Sequence, residues 1–241
     1  MRLLPRNDPR QYDDLAGEWW RPGGGFEILH WLAASRGALV PPATRAEAIL
    51  VDAGCGGGLL APHVERLGYR HVGVDLRRSG LEQSAARGVS PVTADVTALP
   101  FADGSADVVV AGEILEHVTD LPGTVAELCR VLRPGGLLVL DTINSTRLGR
   151  FVLITLGERF NAAPVGIHDP GLFVDPGDLT VLCAKNGVRL QVRGLRPSVI
   201  GLVRWLFLPN GSGTGPLGRM IPTRSTAVIY QGWGRKEGEM A

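Results

Sequence analysis

Between residues 48 and 141 the chain alternates short apolar runs with longer mixed stretches, and four of the runs stop on an acidic residue or a glycine. Ile49-Leu-Val leads into Asp52, His71-Val-Gly-Val into Asp75, Pro91-Val-Thr-Ala into Asp95, and Asp107-Val-Val-Val-Ala into Gly112. Apolar runs this short, bounded by turn residues, read as buried strands. A fifth, 137–141, follows Arg133-Pro-Gly-Gly136, where proline and glycine end the helix before it. Strands that alternate with helical stretches form right-handed βαβ units on a parallel sheet. Further on, Asp175-Pro-Gly-Asp178 opens a helix over 179–186 that Gly187 closes, and 188–194 and 227–234 are expected as the last strands. The pattern predicts an α/β fold with a mostly parallel, seven-stranded sheet and helices on both faces.

Three segments stand outside this alternation. Residues 1–47 read as mostly helical, with Tyr12, Trp19, Trp20, Phe26, Ile28, Leu29, Trp31 and Leu32 as the apolar set and a turn at Arg21-Pro-Gly-Gly-Gly25. The segment either packs on the core as an N-terminal helix or closes over a ligand as an aromatic-lined lid. Residues 144–160 are apolar, through Leu148, Phe151, Val152, Ile154 and Leu156, with a fringe of Arg147, Arg150 and Arg159. They form either a helix packed on the core or a surface helix that touches lipid headgroups. Residues 199–208 are apolar and 208–223 are rich in Gly and Pro; part of a substrate pocket is expected there, with Trp205 and Phe207 lining it. The expected organisation is a helical lid segment over 1–47 and one α/β domain over 48–241, with insertions near 144–173 and 199–223.

Composition narrows the class. A length of 241 residues suits a single domain. The net charge is +1 and the basic residues are dispersed, which argues against nucleic acid as a partner. Cys55, Cys129 and Cys183 are an odd number without a C-x-x-C pair, as expected of free, buried thiols in a reducing cytoplasm. Met1-Arg-Leu-Leu-Pro lacks the apolar region of a signal peptide. No apolar run approaches the ~20 residues of a membrane span. A cytoplasmic protein is expected, peripheral to the inner membrane face if 144–160 meets lipid.

The loop after the first strand changes the picture most. Asp52-Ala-Gly-Cys-Gly-Gly-Gly58 sets Gly54-x-Gly56-x-Gly58 between a strand and a helix expected over 59–67, where glycines let the backbone approach a ligand closely. The dinucleotide fingerprint G-x-G-x-x-G is not met, because counting from Gly54 its last position falls on Leu59. Asp75, about twenty residues on, is placed to accept hydrogen bonds from both hydroxyls of a ribose. The D-x-G-x-G-x-G run resembles the first motif of class I S-adenosylmethionine methyltransferases, which are Rossmann-like. That resemblance implies S-adenosylmethionine as cofactor, with Asp52, Gly54, Gly56 and Asp75 around it. It also implies Asp95 near the adenine amino group and Gly112 as backbone beside the adenosine.

More of the chain resembles one family in that class, the ubiquinone-biosynthesis O-methyltransferases. Trp19-Trp20 with Gly25-Phe26-Glu27 and Leu29-His30 carry the resemblance, as do the glycine loop, Gly112-Glu-Ile-Leu-Glu-His-Val118, and Gly166-Ile-His-Asp169 with Phe173. Gly194-Leu195 and the Leu217-Gly218 neighbourhood fit as well. The resemblance implies methyl transfer to a phenolic oxygen on a polyprenylated aromatic ring. It places Arg36 toward the cofactor, where a guanidinium suits the methionine carboxylate; the other reading of Arg36 is a solvated surface arginine. At Gly112 the family usually carries a larger residue. Two other functions stay open: methylation of a soluble aromatic specialised metabolite, and a cofactor-binding module without catalysis, against which Glu113, Glu116 and His117 argue.

A phenol titrates near ~10, so its oxygen is a poor nucleophile at neutral pH until a metal or a base acts on its proton. Glu113, Glu116 and His117 stand at i, i+3 and i+4 and would share one face of a helix. Two carboxylates and an imidazole are reasonable ligands for Mg²⁺, Mn²⁺ or Zn²⁺, and the resemblance implies a metal site here. His117 as a base, or as a packing residue, are the alternatives. His168, with Asp169 behind it, would complete either site, and His30 is a further candidate.

Overall fold

In the computed structural model, which describes residues 4–160, 163–207 and 218–238, two helices come first, α1 (Gln11–Asp14) and α2 (Glu27–Gly37). The alternating region follows as β1 (Ile49–Ala53), α3 (Ala61–Val64), β2 (Arg70–Asp75), α4 (Arg78–Ala85), β3 (Ser90–Thr93), β4 (Ala106–Gly112), α5 (Leu121–Val131) and β5 (Leu132–Ile143). A helical stretch then runs through α6 (Arg147–Arg150), a wide π-type turn (Phe151–Leu156) and α7 (Gly157–Arg159). Last come α8 (Pro176–Lys185), β6 (Gln191–Pro197), α9 (Val199–Phe207), β7 (Met220–Thr223) and β8 (Ile229–Arg235).

The strands form one sheet in the order β3-β2-β1-β4-β5-β8-β6-β7. β1 to β5 pair in parallel, and β8 enters antiparallel between β5 and β6. There are eight strands where the sequence predicts seven. The extra one, β7, is four residues long and pairs antiparallel with the outer side of β6, Leu195 standing opposite Pro222. A proline lacks the ladder N–H and is accepted at such an edge, which is why the run reads as loop. The Gly/Pro-rich stretch before it, 208–217, lies outside the described residues.

Alternation along the central strands sends side chains to both faces of the sheet. Val51, Val109, Leu138 and Leu140 pack beneath α5 and α8, while Leu50, Val108, Val110 and Val139 meet Val40, Leu60 and Val64 on the other face. Both covering helices start on an aspartate cap. Asp120 accepts from the Gly123 N–H, and Asp175 from those of Gly177 and Asp178. The strand order reverses between β1 and β4, and at such a switch point a ligand crevice opens beyond the carboxyl ends of the strands. The glycine loop leaves β1 at that end and Glu113 leaves β4. Among the described residues no helix is long and apolar enough to cross a membrane.

Candidate active site

A cavity of about 830 Å³ opens at this switch point. Arg36, Asp52, Gly54, Gly56, Asp75, Asp95, Gly112, Glu113, His117 and His168, all marked by the sequence, line it; Glu116 does not. The glycine loop is shaped on two sides. Gly56 has φ 49°, and a Cβ there would lie 2.3 Å from the indole of Trp19. Trp20 adds a hydrogen bond from its indole N–H to the Gly57 carbonyl, 2.9 Å. The tryptophan pair therefore seats on the loop itself. Asp75 braces the loop from β2, one oxygen accepting from the Gly56 N–H at 2.9 Å and the other from that of Arg77 at 2.7 Å. Burial raises the Asp75 carboxyl above its ordinary pKa, against the pull of those two N–H groups. Asp52, buried at the end of β1, faces His71 at 3.4 Å. Asp95 lies beyond β3, exposed, one oxygen accepting from the Thr97 N–H and hydroxyl at 2.8 and 2.7 Å.

Arg36 is buried, not solvated. Its Nη1 donates to both oxygens of Asp141, at 2.6 and 2.8 Å, while its Nε, equally buried, has no partner. The guanidinium passes directly over Gly112, where a Cβ would lie 2.2 Å from its Cζ. A larger residue at 112 is thus incompatible with Arg36 in this position. Asp141, at the end of β5, is a site residue that the sequence reading missed: an acid at a strand end is an ordinary sight, and nothing local links it to a residue of α2.

The segment 113–117 is not an α-helix. Glu113 adopts a left-handed backbone (φ 51°), costly for a residue with a side chain, and Leu115–His117 form a single 3₁₀ turn. Glu113, Glu116 and His117 consequently share no helical face. Glu113 turns toward Asp141, and burial, then the charges of Glu116 and Asp141, push its carboxyl well above the ordinary range. Glu116 is fully buried; its Oε2 accepts from the Thr142 hydroxyl at 2.7 Å, and its Oε1 has no partner. Burial pushes it up to about 7. The group whose ligand atoms converge is Glu116, His117 and His168, all within 4.8 Å of one another. His168 replaces Glu113 in the expected ligand set. Its ring stacks on His117 at 5.2 Å, and burial lowers His117 to about 3 and His168 to about 4. Neither of the other proposed helpers is there. Asp169 accepts from the Gly171 N–H, and His30 bonds the Trp19 carbonyl.

Two further residues come from the chain's beginning, where the sequence shows no motif. Asn7 holds the Nδ1 side of His117, and the Tyr12 hydroxyl lies 3.2 Å from its Nε2. The segment that carries them is pinned to α4 by Arg77 and Ser79 on Asp13 and by Gln83 on the Ala16 carbonyl.

Away from the acids the cavity wall is mostly apolar. Leu148, Val152 and Leu156 contribute from one helical stretch, Leu202 and Leu206 from α9. Residues 144–160 are not packed into the core: Leu148 and Phe151 are each 50% exposed and Phe160 58%. The expected pocket residues of α9 are elsewhere. Phe207 points outward, and Trp205 donates to the Gly23 and Gly24 carbonyls. Leu202 and Leu206, one helical turn apart, take the inner face instead.

A methyltransferase-domain family model matches residues 51–140, the span from β1 through most of β5. A ubiquinone biosynthesis O-methyltransferase of Cupriavidus pinatubonensis is 34% identical over 206 residues, 79% of this chain and 82% of that one. The chain belongs to the ubiquinone biosynthesis O-methyltransferase family. It is an S-adenosylmethionine-dependent O-methyltransferase. A family member from Methylobacterium nodulans, with the same name, is 28% identical over 248 residues and spans 94% of this chain and 93% of its own. Among solved structures, an S-adenosylmethionine-dependent methyltransferase of Thermotoga maritima, described as a possible histamine N-methyltransferase, superposes with a TM-score of 0.64 at 17% identity. It covers 95% of this chain and 97% of that one, and shares the Rossmann-like fold.

Proposed function

We propose that this O-methyltransferase methylates a catechol hydroxyl on a ring that carries a prenyl tail, and that Glu116, His117 and His168 hold a divalent cation for the reaction. The observation that supports this most is the continuity of the cavity: one space is bordered by Asp75 and Asp95 at one place and by Leu202 and Leu206 at another. An amphipathic substrate and a polar cofactor need both kinds of wall.

The residues fit S-adenosylmethionine. Asp75 keeps lone pairs for ribose hydroxyls besides the two N–H groups it already accepts, and the unpartnered Arg36 Nε is a donor for a carboxylate at the rim of the same cavity. When bound, the cofactor supplies an activated methyl group on a sulfonium. The protein's part is to hold the acceptor oxygen in line and to exclude water. The N-terminal segment, 1–47, serves as the lid for that purpose, its Tyr12, Trp19 and Phe26 facing the cavity.

The donor set also fits a cation. Two imidazoles that burial keeps neutral and a carboxylate oxygen without a partner suit Zn²⁺ or Mn²⁺ better than Mg²⁺. A cation there supplies a Lewis acid that acidifies a phenol. His117 is poorly suited to be the base itself, since a base lowered to about 3 has little pull on a phenolic proton. The outer surface of 144–160, with Phe151 half exposed beside Arg147 and Arg150, is the proposed membrane contact.

Mass spectrometry of products from S-adenosylmethionine and paired catechols, prenylated and not, tests the reading. Preference for the prenylated catechol is expected; equal or better turnover of the bare ring overturns the tail. Co-sedimentation with anionic vesicles at low salt tests the membrane contact, and no binding there removes it.

A further inference from the structure

We propose that Asn7 is a positioning residue that fixes the tautomer of His117, keeping the hydrogen on Nδ1 and the lone pair on Nε2. Its use in methyl transfer rests on the reading of His117 given above; the tautomer itself does not.

The argument is one of donors and acceptors. The Asn7 side chain touches His117 twice: Nδ2 donates to the His117 carbonyl at 2.9 Å, and Oδ1 lies 2.5 Å from Nδ1. A backbone carbonyl only accepts, so it dictates which end of the amide carries hydrogens. The other end is then an acceptor, and Nδ1 has to be the donor. In a neutral imidazole the second nitrogen is left with its lone pair. The Tyr12 hydroxyl, 3.2 Å from Nε2, must therefore be donating. Reversing the tautomer would face two acceptors at Nδ1 and lose that bond, while the Nε2–H would donate to the Tyr12 oxygen instead. Nε2 is the atom that a cation or a phenolic hydrogen needs, and a phenol, that of Tyr12, already sits on it.

The clamp is built, not incidental. Asn7 adopts φ 60°, a region that asparagine visits more readily than most residues. Its own N–H donates to the Gly166 carbonyl at 2.9 Å. On one side Arg6 donates to the His168 carbonyl at 2.9 Å and pairs with Glu158. On the other, Gln11 donates to the carbonyls of Pro5 and Gly166. Residues 5–12 thus lie across 166–168 and reach both histidines at once. The tautomer of His117 is set only while this segment is down, which couples closure of the N-terminal segment to readiness of the imidazole.

Long-range ¹H–¹⁵N spectra of ¹⁵N-histidine-labelled, EDTA-treated protein read the tautomer directly, with His117 assigned by loss of its signals in His117→Gln. The wild type is expected to show a protonated Nδ1 and an unprotonated Nε2. Asn7→Ala should mix the two forms and lower kcat about 10–100-fold, with S-adenosylmethionine affinity within about twofold. Asn7→Asp, whose carboxylate still accepts from Nδ1 but sets an acceptor against the His117 carbonyl, should restore the tautomer and only part of kcat. A protonated Nε2 in the wild type overturns the proposal, and that spectrum needs no variant to fold. An Asn7→Ala spectrum identical to wild type, or a mixed one with full kcat, overturns the positioning role. Because the spectra need no substrate, absence of methyl transfer would sink the proposed function and leave the tautomer standing.

Discussion

Arg36 and Asp141, 105 residues apart, meet over the α-carbon of Gly112. Arg36 Nη1 spans both oxygens of Asp141, and the same guanidinium lies in the field of Asp52 and Glu113. One buried cation thus faces three acids at the ends of β1, β4 and β5.

Gly112→Ala tests this pair without touching either member. The new methyl would overlap the guanidinium, so Arg36 must shift off Asp141. A loss of about 1–3 kcal/mol in denaturant unfolding is expected, together with weaker S-adenosylmethionine binding in calorimetry. A variant as stable and as tight-binding as wild type would mean that Arg36 has room to spare.

Asp75→Ala should weaken S-adenosylmethionine more than about tenfold, since charge-assisted hydrogen bonds are worth roughly 1.5–3 kcal/mol. Asp75→Asn, which retains one acceptor for the Gly56 N–H, should lose less. Equal affinity in both variants would remove Asp75 from the cofactor site.

Cation binding should release protons in a pH-dependent way. The histidines are already neutral at pH 7, whereas Glu116, raised to about 7, is close to half protonated there. Titration calorimetry with Zn²⁺ in buffers of different ionisation heat should report about half a proton at pH 7, more at pH 6 and almost none at pH 8. Glu116→Gln should abolish the release, and a release unchanged across that range would place the proton elsewhere.

Stability of the EDTA-treated protein should fall on both flanks of pH. His117 goes from 6.5 to about 3 on folding, so its contribution is complete above pH 6.5 and is lost as pH falls toward 3. Glu116 goes from 4.5 to about 7, so its contribution is complete below pH 4.5 and is lost as pH rises through 7. Scanning calorimetry should show a shallower acid limb in His117→Gln and a shallower alkaline limb in Glu116→Gln. Parallel shifts of the whole curve would contradict the assignment.

The parallel half of the sheet was readable because β1, β4 and β5 carry near-continuous apolar runs and Asp or Gly stands at or just after the ends of β1 to β4. β7 was not, being four residues long with a proline inside. At the site, the sequence could name residues that share a motif but not those that meet through space. Asp141 gives no local hint of Arg36, and Asn7 and Tyr12 precede every motif. The grouping of Glu113 with Glu116 and His117 assumed a helix, and glutamate is an ordinary helix former. Only the backbone at 113, turned left-handed against that preference, sends the side chain to Asp141 and leaves its place to His168. On α9 the error was one of phase: Phe207 and Leu206 are adjacent, and nothing in composition says which looks inward.

Trp19 has a consequence for the laboratory. Its indole rests on Gly56 and Gly57, stacks on Tyr12 at 5.8 Å, borders the cavity, and leaves its N–H without a partner. A molecule that fills the glycine-loop end of the cavity alters the polarity around this chromophore and offers its N–H an acceptor. The protein's own ultraviolet emission is therefore a label-free gauge of occupancy, sited where the ligand arrives.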